Sequence, residues 1–173
     1  MKKVLVICGS TRKDSSNLYL IKAITQLAGT TIHFTLFEDL MQIPPFNPDN
    51  DTEQPPAIIA DFRQQLRNAA GILICTPEYA MGVPGVLKNA LDWTVSSSDL
   101  SGKPVAAITA SSLGNLAHAS LLATLKVIEA RISDDTQLLI SFIKTKVNSQ
   151  GEITNPETLA AVQHLLNAFE KEL

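Results

Sequence analysis

The chain has almost none of the side chains that build metal sites or disulfide frameworks. Two of its 173 residues are cysteine, Cys8 and Cys75, with no C-x-x-C spacing, and its three histidines, His33, His118 and His164, stand far apart. That excludes a zinc site or a stapled secreted scaffold, and isolated thiols suit buried, reduced cysteines. Basic charge is equally short. Fourteen Lys and Arg against 17 Asp and Glu give a net charge of -3, so the positive field used to bind nucleic acid is missing. No apolar run reaches membrane-spanning length. At the N-terminus two lysines precede only five apolar residues, Val4–Cys8, before Gly9, too few for a signal-peptide core or a span. A cytoplasmic protein with neither nucleic acid nor membrane as partner is predicted. Repeats and low-complexity segments are also absent. A chain of this length suits a single domain over residues 1–173, able to bury roughly 70% of its unfolded surface.

What is present is alternation. Val4–Cys8, Gly71–Cys75 ("GILIC") and Val105–Thr109 ("VAAIT") are continuous apolar runs bounded by Gly or Pro, as expected of strands covered on both faces. Thr31–Glu38 places Ile32, Phe34 and Leu36 on one side and His33 and Thr35 on the other, the pattern of a half-exposed edge strand, and "QLLISFIKTKV" would be a fifth strand. Between them, apolar stripes at helical spacing predict helices over Asn17–Leu27, Pro56–Asn68, Val86–Trp93, Leu116–Ala130 and Leu159–Phe169. Alternating strands and helices with short connections imply right-handed crossovers and an α/β doubly wound parallel sheet with helices on both faces, most naturally in the order 2-1-3-4-5. In that order the first and third strands are neighbours, and ligands collect beyond their carboxyl ends. The one long irregular segment, Met41–Pro56, is broken by proline and acidic residues, and loops of that length are more often functional than idle.

The first strand runs into "GSTRKDSSN", Gly9–Asn17. The glycine spacing fits neither G-x-G-x-x-G nor G-x-x-x-x-G-K-[ST]. The loop nevertheless offers the hydroxyls of Ser10, Thr11, Ser15 and Ser16, the Asn17 amide, the Arg12 guanidinium and free N–H groups at a helix start, which together suit a phosphate monoester. The same residues suit an ordinary cap by Ser15 or Ser16, and spacing alone does not separate the two. The third strand runs into "TPEYAMGVPGVLKNALDW", Thr76–Trp93, which faces the first loop across the switch point. Pro77 and Gly82 hold an irregular turn, Pro84 opens a helix, and Tyr79 with the backbone of Pro77–Tyr79 suits the face and edge of a flat heterocycle. Plain packing accounts equally well for Tyr79, and better for Trp93. Neither a C-x-x-x-x-x-R loop nor an acidic cluster follows the first strand, so a phosphatase or receiver reading of the same topology fails.

These two stretches resemble the NAD(P)H-dependent FMN reductases of flavodoxin-like fold, a family that includes chromate, quinone and azo-dye reductases. The first matches G-S-x-R-x-x-S-x-N at Gly9, Ser10, Arg12, Ser15 and Asn17. The second matches P-E-Y…P-G-x-L-K-N-A-x-D-W at Pro77, Glu78, Tyr79, Pro84, Gly85, Leu87, Lys88, Asn89, Ala90, Asp92 and Trp93. Ala80, Met81, Ser112 and Leu113 depart from the pattern, which has asparagine after P-E-Y and a glycine pair in the third loop. The resemblance implies non-covalent FMN, with Ser10, Arg12, Ser15, Ser16 and Asn17 at its phosphate, Pro77, Glu78 and Tyr79 against its ring, and Ser111, Ser112 and Gly114 closing the ring edge. It implies NAD(P)H as co-substrate, a small acceptor, and a homodimer or homotetramer with the Met41–Pro56 loop as a candidate contributor, while one phosphate loop and one ring platform with no second dinucleotide fold in 173 residues predict a ping-pong order. No side chain is assigned as general acid or base. His118, at the start of the fourth helix, is within reach of the ring but is expected, like His33 and His164, at the solvent surface, the Glu78 carboxylate is expected toward solvent or an interface, and Lys88 with Asp92 reads as a helix ion pair. The main alternative, an FMN-binding electron carrier without nicotinamide activity, sits poorly with so mild a net charge.

Overall fold

Three uninterrupted apolar runs become the middle of a parallel sheet in the computed structural model, which describes residues 1–173. The strands are β1 (Lys2–Cys8), β2 (Ile32–Leu36), β3 (Gly71–Thr76), β4 (Val105–Ser111) and β5 (Gln137–Ser141), in the order β2-β1-β3-β4-β5. The helices are α1 (Ser16–Leu27), α2 (Ala57–Asn68), α3 (Gly85–Asp92), α4 (Asn115–Val127) and α5 (Pro156–Glu172). The fold is the expected flavodoxin-like one. β1 and β3 are joined in register from Val4 opposite Gly71 to Cys8 opposite Cys75, so both strands end at the same level, where the chain reverses direction.

Alternate residues of each central strand serve opposite faces. Leu5, Ile7, Ile72, Ile74, Val105 and Ala107 pack under α2, α3 and α4 with Ile59, Phe62, Leu87, Leu91 and Leu121. Val4, Val6, Leu73, Cys75, Ala106 and Ile108 pack under α1 and α5 with Leu20, Ile24, Val162, Leu166 and Phe169. Both faces are sealed, which is why these strands read as unbroken apolar runs. No helix is long and apolar enough to cross a membrane.

The ends of several elements differ from the sequence expectation, each for a local reason. The fifth strand stops at Ser141 because Phe142 takes a left-handed conformation (φ 56°, ψ 38°) and Ile143–Thr145 closes a single 3-10 turn. α4 ends at Val127, with Glu129 left-handed just beyond it. α5 begins earlier than its apolar stripe because Asn155 caps it, accepting from Thr158 N at 2.8 Å, and Pro156 pre-sets the first turn.

The 41–56 loop contains a short 3-10 turn at Pro48–Asn50 and is tied to its own chain. Trp93 Nε1 and Asn89 Nδ2 both donate to the Pro44 carbonyl at 2.9 Å, and Phe46 N donates to Asn89 Oδ1 at 2.7 Å. Trp93 is fully buried and meets Phe46 edge to face. At the far end of the loop Arg63 of α2 donates to Asp51 Oδ1 at 2.7 Å and through Nε to the Trp93 carbonyl at 2.9 Å.

Candidate functional site

Gly9, the first residue after β1, has no room for a side chain. A Cβ there would stand 2.3 Å from Thr76 Oγ1 at the end of β3, so glycine is what lets the two strand ends close up. The chain then turns outward, and Ser15 caps α1 by accepting from Asn17 N at 3.1 Å. The N–H groups of Ser15 and Ser16 donate to no acceptor within the protein, so the positive end of α1 is left open.

This loop forms one side of a cleft of about 350 Å³, inside the range of small-molecule sites. Ser10, Arg12, Ser15, Ser16 and Asn17 line it from the first loop, Pro77, Glu78 and Tyr79 from the second, and Ser111 and Ser112 from the third. Of the expected site residues, only Gly114 lies off the cleft. It occupies the left-handed N-cap of α4 at φ 99°, where a Cβ would approach Leu139 to 2.8 Å, and its part is to let the third loop turn into that helix. Four further lining residues, Phe142 to Thr145, come from the turn after β5. The sequence pattern assigns them to a strand, and only the left-handed Phe142 brings them to the cleft.

The side chains divide into free and committed. Asn17 is buried and committed: Nδ2 donates to the Ala110 carbonyl at 3.1 Å and Oδ1 accepts from the Cys75 thiol at 3.3 Å, so it ties α1 to the ends of β3 and β4. Burial pushes both thiols up, Cys75 well up with the adjacent Cys8 adding to it, which keeps the donor protonated. Glu78 is committed as well. Its carboxylate does not face solvent but turns onto the start of α4, where Oε2 accepts from Leu116 N at 3.0 Å and Ala117 N at 2.9 Å, while its own N–H donates to Ser111 Oγ at 3.1 Å. The second and third loops are thereby fastened together, and the one acidic side chain lining the cleft has its carboxylate turned onto a helix terminus. Arg12 is free of any carboxylate partner.

Tyr79 stands at the rim, its hydroxyl 3.5 Å from Ser10 Oγ. Burial raises its phenol, but hydrogen bonds to Ser10 and Thr11 and the Arg12 charge outweigh burial and leave it below the ordinary range. Ala80 and Met81, which follow, both have positive φ (48° and 64°) and form a two-residue turn closed by reciprocal Tyr79–Gly82 hydrogen bonds of 2.9 and 3.0 Å. His118, expected at the solvent surface, is half-buried instead. Its Nδ1 lies 3.0 Å from Thr109 Oγ1, and burial lowers its pKa against an opposing Gln137 hydrogen bond. Lys88 and Asp92 form the expected pair at 2.5 Å, and no group of three or more His, Cys, Asp or Glu is arranged to hold a metal ion.

A family model described as NADPH-dependent FMN reductase matches residues 2–145, from the start of β1 to the turn after β5. The chain belongs to this family. Over 174 residues it is 32% identical to a 2-hydroxy-1,4-benzoquinone reductase of a Burkholderia species, covering 96% of this chain and 93% of that protein. It is 33% identical to a quinone reductase of Escherichia coli K12, again covering 96% and 93%. The structure of FerB, a flavoenzyme NAD(P)H:(acceptor) oxidoreductase from Paracoccus denitrificans, superposes with a TM-score of 0.80 at 27% identity, covering 99% of this chain and 96% of that one.

An FMN reductase needs a socket for a dianionic phosphate, and the donors here fit one. Three serine hydroxyls, two unclaimed N–H groups at a helix start and a guanidinium without a carboxylate partner line the cleft from the first loop. Beside them Pro77 and Tyr79 offer apolar and backbone surface, as a flat ring requires.

Proposed function

We propose that the protein is an FMN-containing oxidoreductase that passes electrons from NAD(P)H to a small acceptor of the quinone, free flavin, azo-dye or chromate kind, with donor and acceptor taking turns at one opening. The observation that carries this reading is the convergence of the open helix terminus and Arg12 with Pro77–Tyr79 and Ser111–Ser112 on a single cleft. The names of the relatives favour a quinone among the acceptors.

When bound, FMN supplies the two-electron relay between nicotinamide and acceptor. The protein's own contribution is position and charge. Ser10, Ser15, Ser16 and Arg12 hold the phosphate, assisted by the Ser15 and Ser16 N–H groups. Asn17 acts through the framework, fixing α1 against β3 and β4 so that those donors stay aimed. Pro77, Glu78 and Tyr79 present backbone and aromatic surface to the ring, and Ser111, held by Glu78 N–H, and Ser112 close its edge. Gly114 shapes the turn behind them. No residue lining the cleft is placed as a general base: Glu78 is engaged by α4, and the thiols do not line the cleft and have raised pKa values.

Two free buried thiols suit a reducing compartment, and the reading places the protein in the cytoplasm. It also makes the protein a homodimer or homotetramer, because Met41, Met81, Leu113 and Leu116 are apolar and exposed around the site. Light scattering at micromolar protein checks the assembly.

The experiment that tests the function measures FMN and riboflavin affinity by flavin fluorescence, then steady-state rates with NADPH and a benzoquinone. The expected result is one FMN per chain, bound much more tightly than riboflavin. Arg12→Ala should weaken FMN roughly 10- to 100-fold, as loss of a charge-assisted contact does, and leave riboflavin unchanged. Double-reciprocal plots should be parallel. Equal affinity for the two flavins would overturn the phosphate socket, and converging lines would overturn the shared opening.

A further inference from the structure

Phe142 breaks two rules at once. It is a bulky side chain held at φ 56° and ψ 38°, a region that suits glycine or asparagine, and it is 60% exposed, so burial gives no compensation for the strain. The surrounding structure enforces the conformation. Phe142 N donates to the Ser112 carbonyl at 3.1 Å, Ser141 Oγ donates to the Leu113 carbonyl at 2.8 Å, and Thr145 donates to the Phe142 carbonyl from both N (3.0 Å) and Oγ1 (2.9 Å). Ile143, next in the chain, is buried in the core beneath. The turn is therefore pinned to the third loop on one side and to the core on the other, and strain of this kind collects where function requires it.

What the turn presents to the cleft is an aromatic ring and a cation. Phe142 and Lys144 line the same space as Arg12 and the serine hydroxyls, from the turn after the edge strand β5. Lys144 has no carboxylate partner, and with Arg12 it gives the cleft two free cations. A dianionic phosphate is best met by more than one positive charge, and of the two cations in the first loop, Arg12 and Lys13, only Arg12 lines the cleft.

We propose that the Phe142–Lys144 turn is a further wall of the cofactor site, in which Lys144 supplies the second charge to the phosphate and Phe142 supplies apolar surface to the flavin part of the nucleotide. The proposal rests on the FMN reading above. It makes the turn a determinant of cofactor affinity, and it gives the strained backbone a reason: relieving the strain should harm binding while helping stability.

The test uses the apo full-length chain and its variants Phe142→Gly, Phe142→Asn and Lys144→Ala, with FMN and riboflavin titrated by fluorescence quenching and melting followed without flavin. Phe142→Gly and Phe142→Asn suit the left-handed turn, so both should melt about 2–4 °C higher than the parent, while losing roughly 3- to 10-fold in affinity for FMN and riboflavin alike. Lys144→Ala should lose roughly 3- to 10-fold for FMN, the size of an exposed charge-assisted contact, and nothing for riboflavin. Unchanged affinity in all three variants, with a parent that binds FMN, overturns the proposal and leaves the FMN reading intact. A parent that binds no FMN overturns the reading itself. Variants that change molecular mass but not flavin affinity would make Phe142 a contact between copies and would also overturn the proposal.

Discussion

Replacing Glu78 by alanine removes the carboxylate that closes the start of α4 and ties the second site loop to the third. Two N–H groups, Leu116 and Ala117, lose an ionised acceptor at 3.0 and 2.9 Å. Fully buried, each such bond would be worth about 1.5–3 kcal/mol. Leu116 is more than half exposed, however, so water replaces much of what is lost there. The relevant scale is then that of a helix cap, about 0.5–2 kcal/mol, together with the interaction of a carboxylate with a helix N-terminus, about 0.3–1 kcal/mol. The expected loss for Glu78→Ala is about 2 kcal/mol. Glu78→Gln keeps one acceptor oxygen and gives up the charge, so it should lose only about half as much. Urea unfolding of the apo protein, followed by circular dichroism, measures both, and a constant m-value ensures that the midpoint shift is stability. The melting temperature of Glu78→Ala should fall by about 4–8 °C, given about 2–4 °C per kcal/mol for a chain of this size. Amide exchange at Leu116 and Ala117 should quicken in step, because it reads the same two hydrogen bonds. A Glu78→Ala loss below about 0.5 kcal/mol, with unchanged exchange at those amides, would refute the cap and return Glu78 to a surface role.

The two-residue turn after Tyr79 should be improvable: replacing Ala80 by Asn and Met81 by Gly puts favoured residues at both positive-φ positions, and apo stability should rise by about 1–2 kcal/mol in the same urea assay. Asp51 should govern part of the acid stability. Burial raises its carboxyl, but hydrogen bonds from Ser96 and Arg63 and the Arg63 charge bring it below the ordinary 3.8, so its stabilisation is complete above that value and lost as pH falls through the lower folded pKa. Asp51→Ala should cost about 3 kcal/mol at neutral pH, because it takes the carboxylate partner from the buried Arg63 guanidinium and leaves it only the Trp93 carbonyl and Ser96, and it should flatten the acid limb of urea midpoint against pH. His118 works in a higher window: its folded pKa lies below 6.5, so its contribution is present above 6.5 and shrinks as the pH drops under it, and His118→Gln should remove that slope.

Much of this protein was written locally. The apolar runs at Val4–Cys8, Gly71–Cys75 and Val105–Thr109 specify strands sealed on both faces, because no other local structure buries consecutive side chains in both directions. The stripes between them specify covering helices, and chirality together with short connections leaves few sheet orders. The position of the two site loops at the strand ends follows from that order, which is why Ser10–Asn17 and Pro77–Tyr79 could be placed face to face from residue types alone. What only the tertiary structure decided is which of their groups remain free. Asn17 reads as a cleft amide, and the structure adds that one of its N–H groups and its oxygen also serve the Ala110 carbonyl and Cys75, while Glu78 reads as a surface carboxylate until the start of α4, 38 residues further on, arrives beside it. Phe142 and Lys144 read as strand, because "QLLISFIKTKV" has strand composition to its end. The bend that carries them into the cleft is imposed by hydrogen bonds to Ser112 and Leu113 from a neighbouring loop. Secondary structure answers to periodicity along the chain, whereas the commitment of a polar side chain depends on a partner that sequence distance hides.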